Sequence, residues 1–468
     1  MEKRIERAVE AARRALLALV SDEALYLFFA FLLIGVLDSS PFHWHQQAME
    51  LVRSYVLIPW SVTLAALRLM RADARTLMKR DSMLLTAMFL WVVVPFALRF
   101  GVTFNNVTSW HGHLAVFFAV YAMTREEESA RREAMFDRLC ALMALLSLVF
   151  GGMLLFCAVT GQTYGQDTGR ELFGVVNGCL QSGVHYNHTG MVSLCMLMLC
   201  IAGVCRRRNL PGKLLHGAAA IVMAIVIVLT QSRTARYSML LAFAAGAYSA
   251  LQAFLPVKKA ALRHVAAIAA ACAVLVAGYV GAGVITDAAI AHYNGGTAIV
   301  AQAAAEQAQA PTPAQQGLEA RDAVDASFSD RTTIWKNLIE LWKNDPKYMV
   351  IGNGIGRTGS RIVKGTIHEA AGAVAVHNTY LQLVADFGLV GAALTALFFL
   401  TMLFPALRVF FAARERRCAG GAALCMLVIA CLATGMMESQ PLGANTPMNM
   451  MLYYALAVLC AQGEEMKA

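Results

Sequence analysis

Residues 214–231 read LLHGAAAIVMAIVIVLTQ, and this almost unbroken apolar run decides the class of fold. A run of about twenty apolar residues is long enough to cross the hydrocarbon core of a bilayer as one helix. By that measure the sequence predicts an all-α polytopic membrane protein with about 12 transmembrane helices. The other eleven predicted spans cover residues 24–38, 54–70, 83–99, 110–123, 138–159, 188–205, 236–255, 264–284, 379–411, 420–436 and 447–462.

The composition of the whole chain also indicates a membrane protein. Its 468 residues are 58% hydrophobic and only 15% charged, and the mean hydropathy is +0.56. A soluble protein of this length exposes far more charge. The net charge of +9 does not indicate a nucleic-acid partner, because the basic residues gather in short loops between alternate spans. These loops contain Arg71, Arg75, Lys79, Arg80, Arg206, Arg207, Arg208, Lys213, Lys258, Lys259, Arg263, Arg414, Arg416 and Arg417.

The basic loops predict the orientation and the domain organisation. By the positive-inside rule they lie in the cytoplasm, and an even number of spans places both termini there as well. Residues 1–284 then comprise a basic amphipathic helix on the cytoplasmic surface and nine spans. Residues 285–378 form a large extracytoplasmic loop, and residues 379–468 contain the last three spans.

The late loop, residues 285–378, is predicted to be helical. Ile334, Leu338 and Trp342 share one face of an amphipathic helix within it. The loop has too few apolar positions for a core of its own, so we expect a cap that packs on the membrane domain. Gly352-Asn353-Gly354-Ile355-Gly356 superficially fits a dinucleotide-binding loop, but that fingerprint requires a βαβ unit. We interpret it as a flexible turn that lets the cap fold back.

Three arginines on the outer side are candidates for binding an anion. Arg233 and Arg236 lie in a very short outer turn, where cations are disfavoured, and Arg331 begins the amphipathic helix of the late loop. A guanidinium binds phosphate bidentately and keeps its proton, so these side chains suit a phosphate or a diphosphate. The alternatives are a snorkelling side chain or a structural ion pair, which for Arg331 would involve Asp330.

His377 stands where the late loop re-enters the membrane and is the candidate general base. An unperturbed imidazole exchanges its proton near neutral pH, which suits proton transfer. The alternative is a hydrogen-bonded histidine at the interface. Glu438 is an acidic partner for an arginine, a second base or a plain loop carboxylate. Further side chains expected to line the same cavity are His185, Tyr186, His188, Trp335, Asn378, Tyr380 and Gln382.

The sequence predicts no metal site and no cofactor. The cysteines lie mostly inside apolar runs and form no CxxC pair, which argues against a disulfide framework and a zinc site. His185 and His188 are a possible metal pair, but no carboxylate or cysteine accompanies them.

The motifs in this order resemble the O-antigen ligase and polymerase superfamily of membrane glycosyltransferases. The resemblance covers about residues 180–440. It rests on Gln231-Ser232-Arg233, Arg331 with Trp335, Gly352 to Gly356, His377-Asn378-Thr379-Tyr380-Leu381 and Phe387-Gly388-Leu389-Val390-Gly391.

The resemblance implies a GT-C-like fold in the bacterial inner membrane, with a periplasmic active site that needs neither metal nor nucleotide. In the ligase branch (lipid A–core:surface polymer ligase) it implies transfer of O-antigen from undecaprenyl diphosphate to lipid A–core during lipopolysaccharide biosynthesis. Carried over residue by residue, Arg233 or Arg236 and Arg331 hold the diphosphate, and His377 activates the acceptor hydroxyl. A single displacement of this kind inverts the anomeric configuration.

Other functions stay open at this stage. An O-antigen polymerase uses the same donor with a lipid-linked acceptor, and a protein O-oligosaccharyltransferase uses a serine or threonine. We favour the ligase because of the segment from His185 to His188 and the large late loop. A transporter or flippase for lipid-linked glycans is expected to carry charges within its spans or inverted repeats, and the sequence shows neither.

Overall fold

The structure is a computed structural model, and most of the chain from residue 124 onwards can be described. The described residues are 51–63, 79–91, 93–99, 120–121, 124–164, 173–176, 179–182, 186–256, 259–305, 331–354, 358–366, 369, 372, 374–412, 420–438 and 447–467. Thirteen helices within these ranges are numbered here in chain order. They are α1 Arg80–Trp91, α2 Val93–Arg99, α3 Ser129–Thr160, α4 Tyr186–Arg206, α5 Leu210–Leu229, α6 Arg233–Phe254, α7 Ala260–Ala305, α8 331–344, α9 Pro346–Ile351, α10 Gly359–Ile362, α11 Thr379–Phe411, α12 Gly421–Thr434 and α13 Pro447–Glu465.

Six helices in the described part of the chain are long and apolar enough to cross a membrane. They are α3, α4, α5, α6, the Ala260–Ala289 part of α7, and α11. Helix α12 is also apolar but has only 14 residues. The protein is therefore a mostly helical, multi-pass membrane protein. The count of twelve spans stays a prediction, because the predicted span 24–38 and most of 110–123 lie outside the described residues.

Helix α4 lies at the centre of the bundle. Nearly every residue from Thr189 to Gly203 is buried, because α4 packs against α3, α5 and α12. Glycines permit the close approach: a Cβ on Gly190 would lie 2.8 Å from Cβ of Ala235 on α6. Helix α7 packs mainly on α6 and turns large apolar side chains such as Val276 outward. An exposed apolar surface of this kind suits contact with lipid.

Helix α7 continues well past residue 284, where the sequence predicts the end of a span. It has 46 residues, which corresponds to a length of about 69 Å at the usual rise. The hydrocarbon core of a bilayer is only about 30 Å thick. Alanine has the highest helix propensity and recurs throughout this segment, so the helix persists after the apolar pattern ends.

A small β-sheet corrects the all-α prediction. Strands β1 Thr163–Tyr164, β2 Phe173–Val176 and β3 Cys179–Ser182 form an antiparallel sheet between α3 and α4. Val176 pairs with Cys179, which leaves a two-residue connection between β2 and β3. The sequence at that connection is Asn177-Gly178, the pair that tight hairpin turns favour. The sheet packs against α4, where the Ser182 N–H donates to Thr189 Oγ1 at 3.0 Å.

The late loop is joined to the membrane domain at a break in α11. Gly388 has φ +70° and ψ −179°, which separates Thr379–Phe387 from the remainder of the helix. The freed carbonyls of Ala385 and Asp386 accept hydrogen bonds from the backbone N–H groups of Asn353 and Gly354, at 2.8 and 2.9 Å. The glycine-rich turn therefore folds the loop back onto α11.

Helix α8 packs on this junction by the face that the sequence predicts. Ile334 and Leu338 are fully buried and form a small cluster with Ile362, Val376 and Ala385, the last of which belongs to α11. Trp342 is partly buried against the same cluster. The apolar face of α8 thus shares its core with the membrane domain.

One end of the helix bundle, which we call the charge-paired end, is closed by ion pairs. Arg206 at the end of α4 binds Asp137 at 2.7 Å and also pairs with Glu133, both on α3. Arg132, which is only 2% exposed, pairs with Glu465 at the end of α13. Each of these two arginines is therefore paired with at least one carboxylate of a neighbouring helix.

Candidate functional site

A buried carboxylate collects side chains from three other segments at the opposite end of the bundle. Glu438 follows α12, and its side chain is 8% exposed. Its Oε1 accepts hydrogen bonds from Arg331 Nη2 and Asn187 Nδ2, each at 3.0 Å. Its Oε2 lies 3.4 Å from Nδ1 of His377. We call these four residues the Glu438 cluster.

The main chain of Glu438 is fixed as firmly as its side chain. Its N–H donates to the carbonyl of Thr434 at 3.0 Å, and its carbonyl accepts from Thr379 Oγ1 at 2.6 Å. The N–H of Thr379 donates to the Gly435 carbonyl at 2.7 Å. The start of α11 and the end of α12 are thus bound together, which holds His377 and Glu438 in register.

The two candidate arginines of α6 face different surroundings. Arg233 follows Ser232, which lies against the start of α4, because a Cβ on Gly190 would lie 3.1 Å from Cβ of Ser232. Arg236 instead reaches toward α7, where Nη1 lies 3.5 Å from Thr286 Oγ1. Its guanidinium carbon also lies 5.7 Å from the centre of the Tyr237 ring. Arg233 therefore begins α6 beside the helix that carries Asn187 of the Glu438 cluster.

Helix N-termini add positive potential at this end. Helices α4, α6 and α11 begin here, at Tyr186, Arg233 and Thr379. The first turn of a helix has unsatisfied N–H groups and the positive end of its dipole. Ser232 and Asn378 cap α6 and α11 by accepting N–H donors, which orders both termini. The arrangement favours an anion beside the arginines.

Four candidate lining residues use polar atoms to bind the protein's own main chain. Tyr380 donates its hydroxyl to the Leu432 carbonyl at 2.7 Å, and Asn378 donates Nδ2 to the Met436 carbonyl at 2.9 Å. The remaining bonds join Trp335 Nε1 to the Val376 carbonyl at 2.9 Å and Gln382 Oε1 to the Val376 N–H at 3.1 Å. These groups support the chain around His377.

Two of the remaining candidates lie in the first turn of α4. Tyr186 and His188 stand on either side of Asn187 in the chain, and both are partly buried. His185 lies outside the described residues. Within the ranges that the structure describes, no three His, Cys, Asp or Glu side chains are grouped closely enough to hold a metal ion.

Asn187 and Thr379 are parts of the site that the sequence does not single out. Both lie inside motifs in which neighbouring residues are the predicted site residues, namely His185 to His188 and His377 to Leu381. Each contacts Glu438 through its own side chain: Asn187 donates to the Glu438 carboxylate, and Thr379 donates to the Glu438 main-chain carbonyl. Their shared partner is more than fifty residues away, so no local pattern indicates these contacts.

The fold and the cluster define a multi-pass helical membrane protein with a cation-rich polar site at one end of its helices. Residues 218–396 match the family model described as O-Antigen ligase. This segment of the chain is similar to the O-antigen ligase family, in agreement with the resemblance seen in the motifs. No curated protein sequence matches the chain.

The family match covers only part of the Glu438 cluster. Arg233, Arg331 and His377 lie within residues 218–396, whereas Asn187 and Glu438 lie outside that range. The matched segment therefore supplies the cations and the histidine, and the flanking helices supply the groups that hold them.

Proposed function

We propose that the protein is an O-antigen ligase of the bacterial inner membrane. It transfers O-antigen polysaccharide from undecaprenyl diphosphate to lipid A–core at the periplasmic face, without a metal ion and with inversion at the sugar carbon. The convergence of Arg331 and His377 on the buried Glu438 supports the proposal best, because it joins an anion-binding cation to a base.

In this proposal the arginines stabilise the leaving group. Glycosyl transfer from a lipid diphosphate releases a diphosphate, whose developing charge requires stabilisation. Preorganised cations in a site partly shielded from water are effective at this task. Arg331 is 15% exposed and already aimed by Glu438, and Arg233 stands at the start of α6. In our proposal both hold the diphosphate.

His377 is the proposed base that activates the acceptor hydroxyl. If Nδ1–H faces the Glu438 carboxylate, the basic lone pair is on Nε2, and the carboxylate stabilises the imidazolium that forms. The acceptor hydroxyl gives its proton to Nε2 as its oxygen forms a bond to the sugar carbon. The bond from that carbon to the diphosphate oxygen breaks on the opposite face, and its electron pair leaves with the diphosphate.

The charge distribution supports the proposed orientation. The Glu438 cluster lies at the end of α4 where Tyr186 begins the helix, and the basic loop from Arg206 to Lys213 follows the other end. By the positive-inside rule that loop is cytoplasmic and the cluster periplasmic. We retain twelve spans, cytoplasmic termini and a GT-C-like arrangement as parts of the proposal.

Reconstitution tests the function directly. Purified protein in liposomes receives lipid-linked O-antigen and lipid A–core in buffer that contains a metal chelator. We expect O-antigen on the core, seen as a mobility shift of the acceptor. Elongation of the lipid-linked chain alone identifies a polymerase, and movement of the donor across the bilayer without bond formation identifies a flippase. Either result contradicts the ligase proposal.

A further inference from the structure

The backbone of His377 has a conformation that few residue types adopt readily. Its φ is +52°, in the left-handed region, and among the described residues Gln231 is the other non-glycine with positive φ. A side chain with a Cβ is disfavoured there by steric contact with the following carbonyl. Such a conformation persists only where the surrounding structure fixes it.

Both main-chain polar groups of Val376, the residue before His377, are fixed. The N–H of Val376 donates to Oε1 of Gln382 at 3.1 Å, and its carbonyl accepts from Nε1 of Trp335 at 2.9 Å. Val376 is only 1% exposed, so its main chain is held by protein groups. Trp335 approaches from α8 and Gln382 from α11, so the two bonds fix the main chain of Val376 to two separate elements.

Gln382 is in turn oriented by a buried carboxylate. Its Nε2 donates to Oδ1 of Asp386 at 2.9 Å, one turn further along α11, and Asp386 is 2% exposed. Only one orientation of the amide satisfies both partners, because the carboxylate needs a donor and the Val376 N–H needs an acceptor. The main-chain carbonyl of Asp386 also accepts from Gly354. This chain of bonds thus extends to the junction between late loop and membrane domain.

The residues after His377 are anchored independently. Asn378 Oδ1 accepts the N–H groups of Tyr380 and Leu381 at 3.0 Å each, and Thr379 is bound to the end of α12. His377 and Asn378 therefore lie between two immobilised peptide units, and the strained torsion of His377 follows from where those units are held.

We propose that Trp335 and Gln382 are positioning residues that hold the Val376 peptide and thereby aim the His377 imidazole. This inference rests on the proposed function, in which His377 takes the proton of the acceptor hydroxyl. The sequence suggests that both side chains contact the substrate. We infer that they act instead on the main chain of Val376.

Trp335→Phe tests the first positioning bond, because it removes the indole N–H and retains a ring against the cluster. Trp342→Phe is the matched control, since Trp342 lies on the same helix and packs against the same cluster. We expect Trp335→Phe to lower kcat about tenfold, the size expected for the loss of one hydrogen bond that positions a base. The KM values for donor and acceptor should stay within about twofold of wild type, as expected when ground-state binding is unchanged.

A donor–acceptor exchange tests the second bond. Gln382→Glu alone places a second carboxylate against buried Asp386, which should lower kcat about tenfold or more through like-charge repulsion. Combining it with Asp386→Asn restores both bonds and reverses only the one between residues 382 and 386, since the new carboxylate accepts from Val376, as Gln382 does, and also from the introduced amide. We expect the double variant to recover kcat to within about threefold of wild type, as coupled neighbours do.

The outcomes separate the two proposals. If the wild type is active and Trp335→Phe keeps the wild-type kcat, with or without a raised KM, the positioning role is overturned. The ligase proposal then stays intact. A double variant no better than Gln382→Glu also overturns it. Wild-type protein that forms no glycosidic bond overturns the proposed function and, with it, this inference.

Discussion

The two ends of the helix bundle handle charge in opposite ways. At the charge-paired end, Arg206 and Arg132 are each bound to carboxylates of a neighbouring helix. In the Glu438 cluster a single buried carboxylate faces Arg331 and His377. The first arrangement joins helices without needing a ligand. The second holds one arginine and a histidine on the same carboxylate, and in our proposal Arg233 at the start of α6 adds the cation that an incoming anion meets.

The difference shows how a membrane protein separates stability from function. An ion pair that is satisfied within the protein contributes to packing, and losing one partner leaves a partly buried charge. In our proposal, a bound substrate anion offsets part of the desolvation cost of the arginines beside the Glu438 cluster. Substitutions at the two ends should therefore affect different measurements.

The largest effect is expected from His377→Ala. Loss of a general base lowers a transfer rate by about 10²–10⁴-fold, whereas donor binding should remain near wild type because the arginines are retained. Transfer and donor binding are measured on the same reconstituted protein. The control is His264→Ala on α7, where the ring hydrogen-bonds to Tyr248 near the opposite end of α6. Full activity of His377→Ala would remove the base assignment.

The next effect compares an arginine from each end. Arg331→Ala should lower kcat by about 10²–10³-fold, as when one preorganised donor to a developing anion is lost. Arg206→Ala should retain transfer in its folded fraction but lower the free energy of unfolding by roughly 2 kcal/mol, between the ranges for exposed and buried ion pairs. Transfer kinetics and thermal unfolding are measured for both variants, so that the loss of transfer and the loss of stability can be compared. Equal loss of transfer in both would contradict the division of roles.

A smaller effect is expected at the break in α11. Gly388→Ala introduces a Cβ at φ +70° and 2.1 Å from the Val350 carbonyl oxygen, so the late loop must shift. Moving the cluster by about an ångström lowers transfer by on the order of tenfold to a hundredfold. Gly283→Ala on α7 is the control, since nothing lies within 4 Å of its added Cβ. Limited proteolysis of the late loop reports the undocking. Unchanged protection and rate would show that the junction does not position the cluster.

The smallest expected effect is a difference in donor binding between variants of the two arginines of α6. Arg233→Ala should weaken donor binding by about tenfold through the loss of a charge-assisted contact. Arg236→Ala should change it less than about threefold, because Arg236 faces Thr286 on α7 and so makes at most a weak long-range contribution. Binding of a fluorescent lipid diphosphate measures both. The reverse order would move the proposed diphosphate site toward α7.

The sequence predicts features that depend on local periodicity. The apolar run 214–231 corresponds to α5, and the spacing of Ile334, Leu338 and Trp342 gives the buried face of α8. Each can be predicted because a span or an amphipathic helix is determined by its own residues. The hairpin at Asn177-Gly178 was also detectable, yet its short strands are outweighed by the helical signal around them.

The site is predictable only in part, because its geometry depends on tertiary contacts. Arg331, His377 and Glu438 are each recognisable as candidates on the outer side. Their meeting at one carboxylate brings together residues that are 107 and 61 positions from Glu438 in the chain. The same holds for Trp335 and Gln382, whose residue types suggest substrate contact while their bonds go to the Val376 peptide.

The left-handed backbone of His377 has a consequence for protein engineering. Glycine at this position would relieve about 1 kcal/mol or more of steric strain, partly offset by the greater freedom of the unfolded chain. A selection for thermostable variants would therefore enrich replacements that remove the imidazole. Stabilised versions of this enzyme should be sought at other positions, with residue 377 held constant in the library.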